Sequence, residues 1–244
     1  MPPRARSRLA RRAAAGSANP FDSRFSVQRL DVKAGGQREL LPSLVFVVGF
    51  LVDDLEVSLN HHALMMLRSM LMGAKLATAV VETPLGNLRL AVTETGVARL
   101  GLPRSSGPGF AGWLRTTFAD AERVPWLPLV DKLSQELAEY FAGRRREFSV
   151  PLDLRGTPFQ LAVWHEISAI PYGETRTYSA VAAGAERPRA VRAAGTATGN
   201  NPVPIVIPCH RVIAAKGRLG GFSGGLDAKR RLLALERAST GELL

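Results

Sequence analysis

The one cysteine of this chain is its residue best suited to covalent chemistry. Cys209 is the only cysteine among 244 residues, and His210 and Arg211 follow it directly. A lone thiol has no internal disulfide partner and cannot build a cysteine-based zinc site. Because the thiolate is the reactive form, a base or positive charge beside it would make this thiol a nucleophile. Buried cysteines are also common as inert core residues, so the pair alone leaves both interpretations open.

Composition and charge narrow the class of protein. The formal charge of +11 and the pI near 10.9 favour a polyanionic partner, most simply nucleic acid. A hydrophobic content of 46% is enough for a proper core. The longest apolar run, residues 44–52, is too short to cross a bilayer, so no membrane partner is expected. A single cysteine points to a reducing compartment, so we expect a cytoplasmic protein, although a secreted protein without disulfides also fits this count.

Periodicity in the first half predicts a small sheet followed by helices. Residues 80–92 alternate as strand, turn and strand, with the Gly86-Asn87 pair supplying the turn. A further strand follows over residues 97–102. Residues 129–141 have helical spacing, and Gly143 suits the C-terminal cap of that helix.

The second half reads as mainly helical. Thr157 is placed to cap a helix that has Pro158 at its first position. Residues 179–183 and a helix starting at Pro188 and running to residue 198 predict a helix-turn-helix. The motif is short and rich in alanine, so by itself it leaves DNA binding undecided. Its second helix is slim, which suits close approach to a narrow minor groove.

Several motifs on both sides of Cys209 point to one family. Residues 200–213 read Asn-Asn-Pro-Val-Pro-Ile-Val-Ile-Pro-Cys-His-Arg-Val-Ile, and a glycine-rich stretch with Phe222 and Ser223 follows. The remaining motifs are Thr157-Pro158-Phe159, Ile170-Pro171-Tyr172-Gly173, Thr177-Tyr178, Arg189-Ala190-Val191-Arg192-Ala193, Lys229 and Leu235-Glu236. Over about residues 157–238 the chain resembles the O6-alkylguanine-DNA alkyltransferases, or methylated-DNA–protein-cysteine methyltransferases. A weaker resemblance to their N-terminal domain covers about residues 76–150.

The resemblance implies an α/β (α+β) fold with two domains. Residues 75–154 are expected to form a small antiparallel sheet domain with helices, of ribonuclease H-like fold. Residues 155–239 are expected to form a helical, winged-helix-like domain with the helix-turn-helix, carrying DNA binding and the active site. Residues 1–74 resemble no family and are expected to be a basic, poorly ordered extension. Met70 and Met72 lie just before the first domain, so a start codon near them is a further hypothesis.

The resemblance also assigns the chemistry. Cys209 would accept the alkyl group, His210 would take the thiol proton through water, and Glu236 would orient and charge-stabilise the imidazole. Asn201 would hold the turn that presents Cys209. Tyr178 and Ser223 would donate hydrogen bonds to the guanine as charge develops on it.

The partner implied is double-stranded DNA carrying O6-alkylguanine, bound through the minor groove by a monomer. The alkylated oxygen is out of reach inside the stacked duplex, so the base must be flipped into a pocket. Arg192 would fill the hole left behind, and Tyr178 would help to rotate the nucleotide. The backbone at Val212 would read the guanine edge. The remaining expected DNA contacts are Thr177, Arg189, Ala190 and Arg211.

The predicted function is DNA repair by irreversible, single-turnover transfer of a methyl or other alkyl group to Cys209. The damaged base is itself the alkyl donor, so no cofactor is expected. His61, His62 and His165 have no cysteine partners at metal spacing, so no metal site is expected. The alternatives are a non-catalytic lesion-binding sensor, a methylation-activated transcription factor and a Cys-His hydrolase. Relatives in the sensor class carry tryptophan in place of the cysteine. The transcription factor needs a cysteine-rich module that this chain lacks, and a hydrolase leaves the helix-turn-helix unexplained.

Overall fold

The computed structural model of this chain describes residues 26–29, 74–103 and 109–240. All but four residues of the N-terminal segment 1–73 therefore lie outside the described part of the chain. The start-codon hypothesis at Met70 and Met72 falls there, as do His61 and His62. Within the described ranges, no helix is long and apolar enough to cross a membrane.

The N-terminal domain is built on a five-stranded sheet. Its strands are β1 (Ser26–Arg29), β2 (Lys75–Thr83), β3 (Gly86–Thr93), β4 (Val97–Gly101) and β5 (Glu122–Arg123). Strands β1 to β4 are antiparallel neighbours in chain order, and β5 pairs parallel with the start of β2. Strand β1 belongs to the segment expected to be poorly ordered, yet it pairs with residues 79–82 of β2.

The turn between β2 and β3 lies two residues earlier than the sequence predicts. Pro84 and Leu85 form the turn, while Gly86 and Asn87 already belong to β3. The Thr83 hydroxyl closes this turn, because it accepts from the Leu85 N–H at 3.2 Å and donates to the Gly86 carbonyl at 2.7 Å. Gly86 enters the strand at φ +102°, a conformation that favours glycine.

Strand β4 is the sheet edge that faces the second domain. Its Val97 N–H donates to the Pro151 carbonyl at 2.8 Å, and its Leu100 N–H donates to the Pro202 carbonyl at 2.9 Å. A sheet edge needs partners for its backbone groups, and here the interdomain connector and the turn before Cys209 supply them. The edge strand thereby links the sheet to the region of the cysteine.

Two helices complete this domain, α1 (Gly109–Thr117) and α2 (Pro128–Phe141). Helix α2 packs on β2 and β3. Its buried side chains recur at helical spacing, and they include Leu133, Leu137 and Tyr140. Gly143 follows α2 at φ +71°, the left-handed conformation predicted for its cap.

The C-terminal domain contains four helices and a minimal sheet. The helices are α3 (Pro158–Ser168), α4 (Tyr178–Gly184), α5 (Val191–Gly199) and α6 (Leu226–Thr240). The two strands of the sheet are β6 (Arg176–Thr177) and β7 (Val212–Ile213). Thr157 caps α3 in a capping box with Gln160, as the sequence predicts. The prediction that α5 starts at Pro188 is wrong, since the helix begins at Val191. Pro188 lies instead in a turn that precedes α5. The Ala190 N–H closes this turn by donating to the Arg187 carbonyl at 2.8 Å.

The two domains share one continuous hydrophobic core. A single cluster of buried side chains runs from the sheet, through Tyr140 of α2, to Cys209 and to Leu232 and Leu235 of α6. The predicted α/β (α+β) fold, an antiparallel sheet domain followed by a helical domain, is confirmed. The shared core means that side chains of the first domain can contact the active-site region of the second.

Candidate active site

A strained turn presents Cys209. The Asn201 side chain spans it, donating to the Ile207 carbonyl at 2.8 Å and accepting from the Val203 N–H at 3.0 Å. Inside the turn, Ile205 is buried with φ at +77°, a conformation that β-branched residues rarely adopt. Such strain costs about 1–3 kcal/mol and persists only where the surroundings enforce it. Asn201 thus holds the turn in the geometry that delivers the cysteine.

Cys209 lies in a cavity of about 210 Å³ at the junction of the helix-turn-helix and a glycine-rich loop. The lining residues are Tyr178, Gly195, Thr198, Gly199, Cys209, Gly221, Phe222 and Ser223. The structure therefore brings together Tyr178, Cys209 and Ser223, three predicted site residues that lie far apart in sequence. The Tyr178 hydroxyl lies 3.5 Å from the Gly221 carbonyl, at the rim of this cavity. Gly220, at φ +68°, leaves room for the tyrosine ring, since a Cβ there would lie 2.8 Å from a ring carbon.

The thiol is protonated in the resting protein. Burial raises the pKa of Cys209 to about 11, against the opposing influence of the hydrogen bond from Asn201 and the charge of Lys229. At neutral pH only a minute fraction would be thiolate. Transfer chemistry at this sulfur therefore needs a base that takes the proton as the new bond forms.

His210 is set up to be that base. It is fully buried, and its Nε2 lies 2.8 Å from Oε1 of Glu236. A carboxylate only accepts, so Nε2 carries the proton and Nδ1 keeps its lone pair. Within the described residues Nδ1 has no protein hydrogen-bond partner. Burial lowers the pKa of His210, while Glu236 opposes that shift, so the imidazole is neutral at rest.

Glu236 receives more partners than the sequence reveals. Besides His210, it accepts from the Tyr140 hydroxyl at 2.7 Å, from the Gly173 N–H at 3.1 Å and from two guanidinium nitrogens of Arg211 at 2.9 Å. Burial alone would raise the pKa of this carboxyl, but the hydrogen bonds from His210 and Arg211 outweigh it and lower it to about 2. The carboxylate is therefore charged and fixed in place.

Arg211 does not lie where the sequence predicts. It was expected to contact DNA, but its guanidinium is buried, paired with Glu236 and donating to the Ile170 carbonyl at 2.6 Å. The reason is electrostatic, since a buried carboxylate requires a buried cation. Val212 likewise has both backbone groups engaged, its N–H with the Cys209 carbonyl and its carbonyl with Lys229. A carbonyl oxygen has two lone pairs and Lys229 uses one of them, so the reading of the guanine edge at Val212 stays a prediction.

Sequence reasoning missed the roles of two residues, Tyr140 and Lys229. Tyr140 lies 96 residues before Glu236 and reads as an ordinary core tyrosine. The Lys229 ammonium is buried and donates to the carbonyls of Val212, Leu219 and Gly221. Its positive charge acts on the Cys209 thiol and favours the thiolate. Burial lowers the pKa of Lys229 to about 8, and the charge on Cys209 opposes the shift. The sequence offered one indication of this role, because Lys229 lies at helical spacing among the apolar residues of α6.

An exposed helix face adjoins the cavity. Arg192 lies on α5 one turn before Gly195, which lines the cavity, and its neighbours Val191 and Ala193 are exposed with it. Arg189 is exposed in the turn before α5, while Ala190 is half-buried there. Thr177, half-buried, caps α4 through the Ala180 N–H at 3.2 Å. The predicted DNA-contacting residues other than Arg211 and Val212 thus lie on or beside the helix-turn-helix.

Replacing Glu236 with glutamine should cost about 3–5 kcal/mol of unfolding free energy, because Arg211 would remain buried without a carboxylate. Urea unfolding followed by tryptophan fluorescence at pH 7 measures this loss. Adding Arg211→Met should recover part of it, so that the double variant loses less than the two single variants together.

The exposed ion pair on the same helix is the control. Arg230 and Asp227 of α6 lie 2.7 Å apart in solvent, and Arg230→Gln should cost less than about 1 kcal/mol. If Glu236→Gln is no more destabilising than Arg230→Gln, the buried carboxylate does not hold the site together.

Two family profiles match the chain in the order of its domains. The profile described as “6-O-methylguanine DNA methyltransferase, ribonuclease-like domain” matches residues 76–154. The profile described as “6-O-methylguanine DNA methyltransferase, DNA binding domain” matches residues 158–238. Together they cover the sheet domain and the helical domain, and they leave the N-terminal segment outside.

Individual proteins are similar over the same region. A “Methylated-DNA--protein-cysteine methyltransferase” of Mycolicibacterium paratuberculosis is 44% identical over 158 residues, which are 64% of this chain and 90% of that protein. A constitutive protein of that name from Bacillus subtilis is 42% identical over 162 residues, 66% of this chain and 95% of that protein. The crystal structure of Mycobacterium tuberculosis OGT in complex with DNA is 37% identical, with a TM-score of 0.57 over 68% of this chain and 93% of that one. The chain therefore belongs to the 6-O-methylguanine DNA methyltransferase family.

Proposed function

We propose that this protein repairs DNA by moving the alkyl group of O6-alkylguanine, typically methyl, onto its own Cys209. The observation that carries the proposal is the site itself. A buried thiol shares a cavity with three hydroxyl-bearing side chains, next to a histidine–glutamate pair and beside an exposed arginine-bearing helix. Relatives that carry the name methylated-DNA–protein-cysteine methyltransferase, and a relative solved with DNA, support the same activity.

The reaction is a displacement at carbon. The sulfur of Cys209 attacks the alkyl carbon and forms a C–S bond while the C–O6 bond breaks, and the bonding pair passes to the guanine oxygen. His210 removes the thiol proton through Nδ1, by way of a water molecule, and the guanine ring regains one proton. Atoms balance as thiol plus O6-methylguanine giving S-methylcysteine plus guanine. Glu236, held negative, stabilises the imidazolium that forms in between.

The leaving guanine needs hydrogen-bond donors, because negative charge develops on it as the C–O bond breaks. Tyr178 and Ser223 line the cavity and are the donors that we assign to this task. Burial raises the pKa of Tyr178, so its hydroxyl keeps its proton and remains a donor. The thioether product is stable, and the chain has no second cysteine to regenerate Cys209. Each protein molecule therefore acts once.

The position of the cavity supports base flipping. Cys209 is 3% exposed, so a base stacked in a duplex cannot reach its sulfur. Helix α5 borders the cavity and carries Arg192 on its exposed face, which suits the insertion of that side chain into the duplex as the damaged nucleotide leaves. Small residues dominate α5, and they allow the close approach that the minor groove demands.

Incubation with a duplex that carries radiolabelled O6-methylguanine should label the protein stoichiometrically and then stop, because the acceptor is consumed. Peptide mass spectrometry should place the methyl group on Cys209, and Cys209→Ser should take up no label while still binding the duplex. An unmodified duplex serves as the control. Lesion binding by the native protein without any transfer would contradict the proposal and favour the lesion-sensor alternative.

Arg192→Ala should separate flipping from chemistry. Transfer from the duplex should slow by about 10–100-fold, because the extruded state loses the side chain that stabilises it. Transfer from the free base O6-benzylguanine, which needs no flipping, should stay within about twofold of the native rate. Arg115→Ala, which removes an exposed charge from α1, is the matched control and should leave both rates unaltered. Equal loss on duplex and free base would contradict this role.

We further propose that the protein works as a monomer in the cytoplasm and joins the nucleoid when it binds DNA. The two walls of the cavity and the histidine–glutamate pair all come from one chain, which supports a monomer. The positive charge of +11 supports attraction to DNA. Light scattering should give the 26.3 kDa of a single chain, and a larger mass at micromolar concentration would contradict this.

A further inference from the structure

One short turn separates the active-site cavity from a second cleft. Gly221, Phe222 and Ser223 line the cavity of about 210 Å³ that holds Cys209. Gly224, the next residue, lines a cleft of about 230 Å³ on the other side. The remaining walls of that cleft are Leu85, Leu102, Pro103, Asp227, Ala228 and Arg231. Residues 221–224 therefore form a thin partition, with open space behind it.

The partition is anchored firmly at its first end. The Lys229 ammonium donates to the Leu219 and Gly221 carbonyls, and the Tyr178 ring packs against Gly220. The other end, at Gly225, borders open space. Gly225 lies at φ +87°, and a Cβ built on it would meet nothing within 4 Å. The Gly225 N–H donates to the Phe222 carbonyl at 3.0 Å, so residues 222–225 make one closed turn. The Gly225 carbonyl accepts from the Lys229 N–H of α6 at 3.2 Å, so any shift of this turn would pivot at its junction with α6.

Leu102, just after β4, supports this turn from behind. A Cβ on Gly224 would lie 2.8 Å from Cδ1 of Leu102, and 3.0 Å from the Phe222 ring on the cavity side. Leu102 is 5% exposed and belongs to the core that the two domains share. Two residues earlier, the Leu100 N–H donates to the Pro202 carbonyl. The end of β4 therefore also fixes the turn that leads to Cys209.

We propose that Leu102 is a specificity-determining positioning residue, which limits the size of the alkyl group by holding the 222–225 turn against the cavity. The inference rests on the proposed function and names one determinant of its substrate range. A methyl group fits the cavity with the turn in place, whereas a larger group requires the turn to retreat into the second cleft. The side chain at position 102 stands in the way of that retreat.

The test compares two rates, transfer from duplex O6-benzylguanine and transfer from duplex O6-methylguanine. Leu102→Ala should raise the benzyl-to-methyl ratio by about tenfold, the scale on which apolar pockets discriminate between substrates of different size. Leu102→Val should shift it in the same direction by less, and Leu102→Met, which conserves volume, should keep the native ratio. A merely structural role would slow both transfers together and leave their ratio alone.

Leu85→Ala is the matched control. It deletes the same atoms from the same cleft, but Leu85 is not among the nearest neighbours of Gly224. Its ratio should stay within about twofold of the native value. Thermal denaturation of each variant verifies that it is folded at the assay temperature, and Leu102→Val carries the test if the alanine variant is not.

Gly224→Ala supplies the opposite perturbation. The added methyl group should press the turn toward Cys209 and lower the ratio, and this effect should shrink in the Leu102→Ala background, where the obstructing Cδ1 is gone. Equal ratios for Leu102→Ala and Leu85→Ala, or strictly additive effects of Gly224→Ala and Leu102→Ala, would overturn the inference. Methyl transfer by the native protein is the internal reference, so failure of the proposed function would show separately as no transfer at all.

Discussion

The carboxylate of Glu236 accepts five hydrogen bonds, and the geometry of the active site depends on them. They come from α2 of the first domain, from the loop after α3, and from the two residues that follow Cys209. A buried charge without partners would cost several kcal/mol, so the fold can bury Glu236 only if all these elements meet at one point. The same contacts fix the tautomer of His210. The contacts that join the two domains at Glu236 therefore also orient the base.

Burial shifts the pKa of the Cys209 thiol and the pKa of the His210 imidazole in opposite directions. It raises the pKa of Cys209 and so keeps the thiol unreactive, which protects a residue that can be used only once. It also lowers the pKa of His210, which keeps the imidazole neutral and able to accept a proton. Lys229 partly offsets the first effect by placing its charge near the sulfur. The balance favours a nucleophile that is activated when the substrate arrives rather than at rest.

Strand β4 explains why a small sheet domain accompanies the reactive helical one. Its edge bonds the turn before Cys209, and the residue that follows it supports the loop on the opposite wall of the cavity. The turn before Cys209 and the glycine-rich loop are irregular backbone, which by itself would be mobile. A sheet edge is stiff and has unpaired backbone groups to offer, so docking the loops on it gives them a fixed position. The first domain thus shapes a cavity to which it contributes no lining residue.

The sequence alone determined the family, the two-domain α/β order, the N-cap of α3 and the end of α2, because these depend on local motifs and periodicity. Thr157, Pro158 and Gly143 could be assigned correctly since a cap or a turn is settled within a few residues. Only the tertiary structure decided which charges face each other. Arg211 was expected on DNA from the family resemblance, yet the buried Glu236 draws it inward. The contacts of Tyr140 with Glu236 and of Leu102 with Gly224 join residues about a hundred positions apart, and burial and charge pairing across such distances leave no local pattern to read.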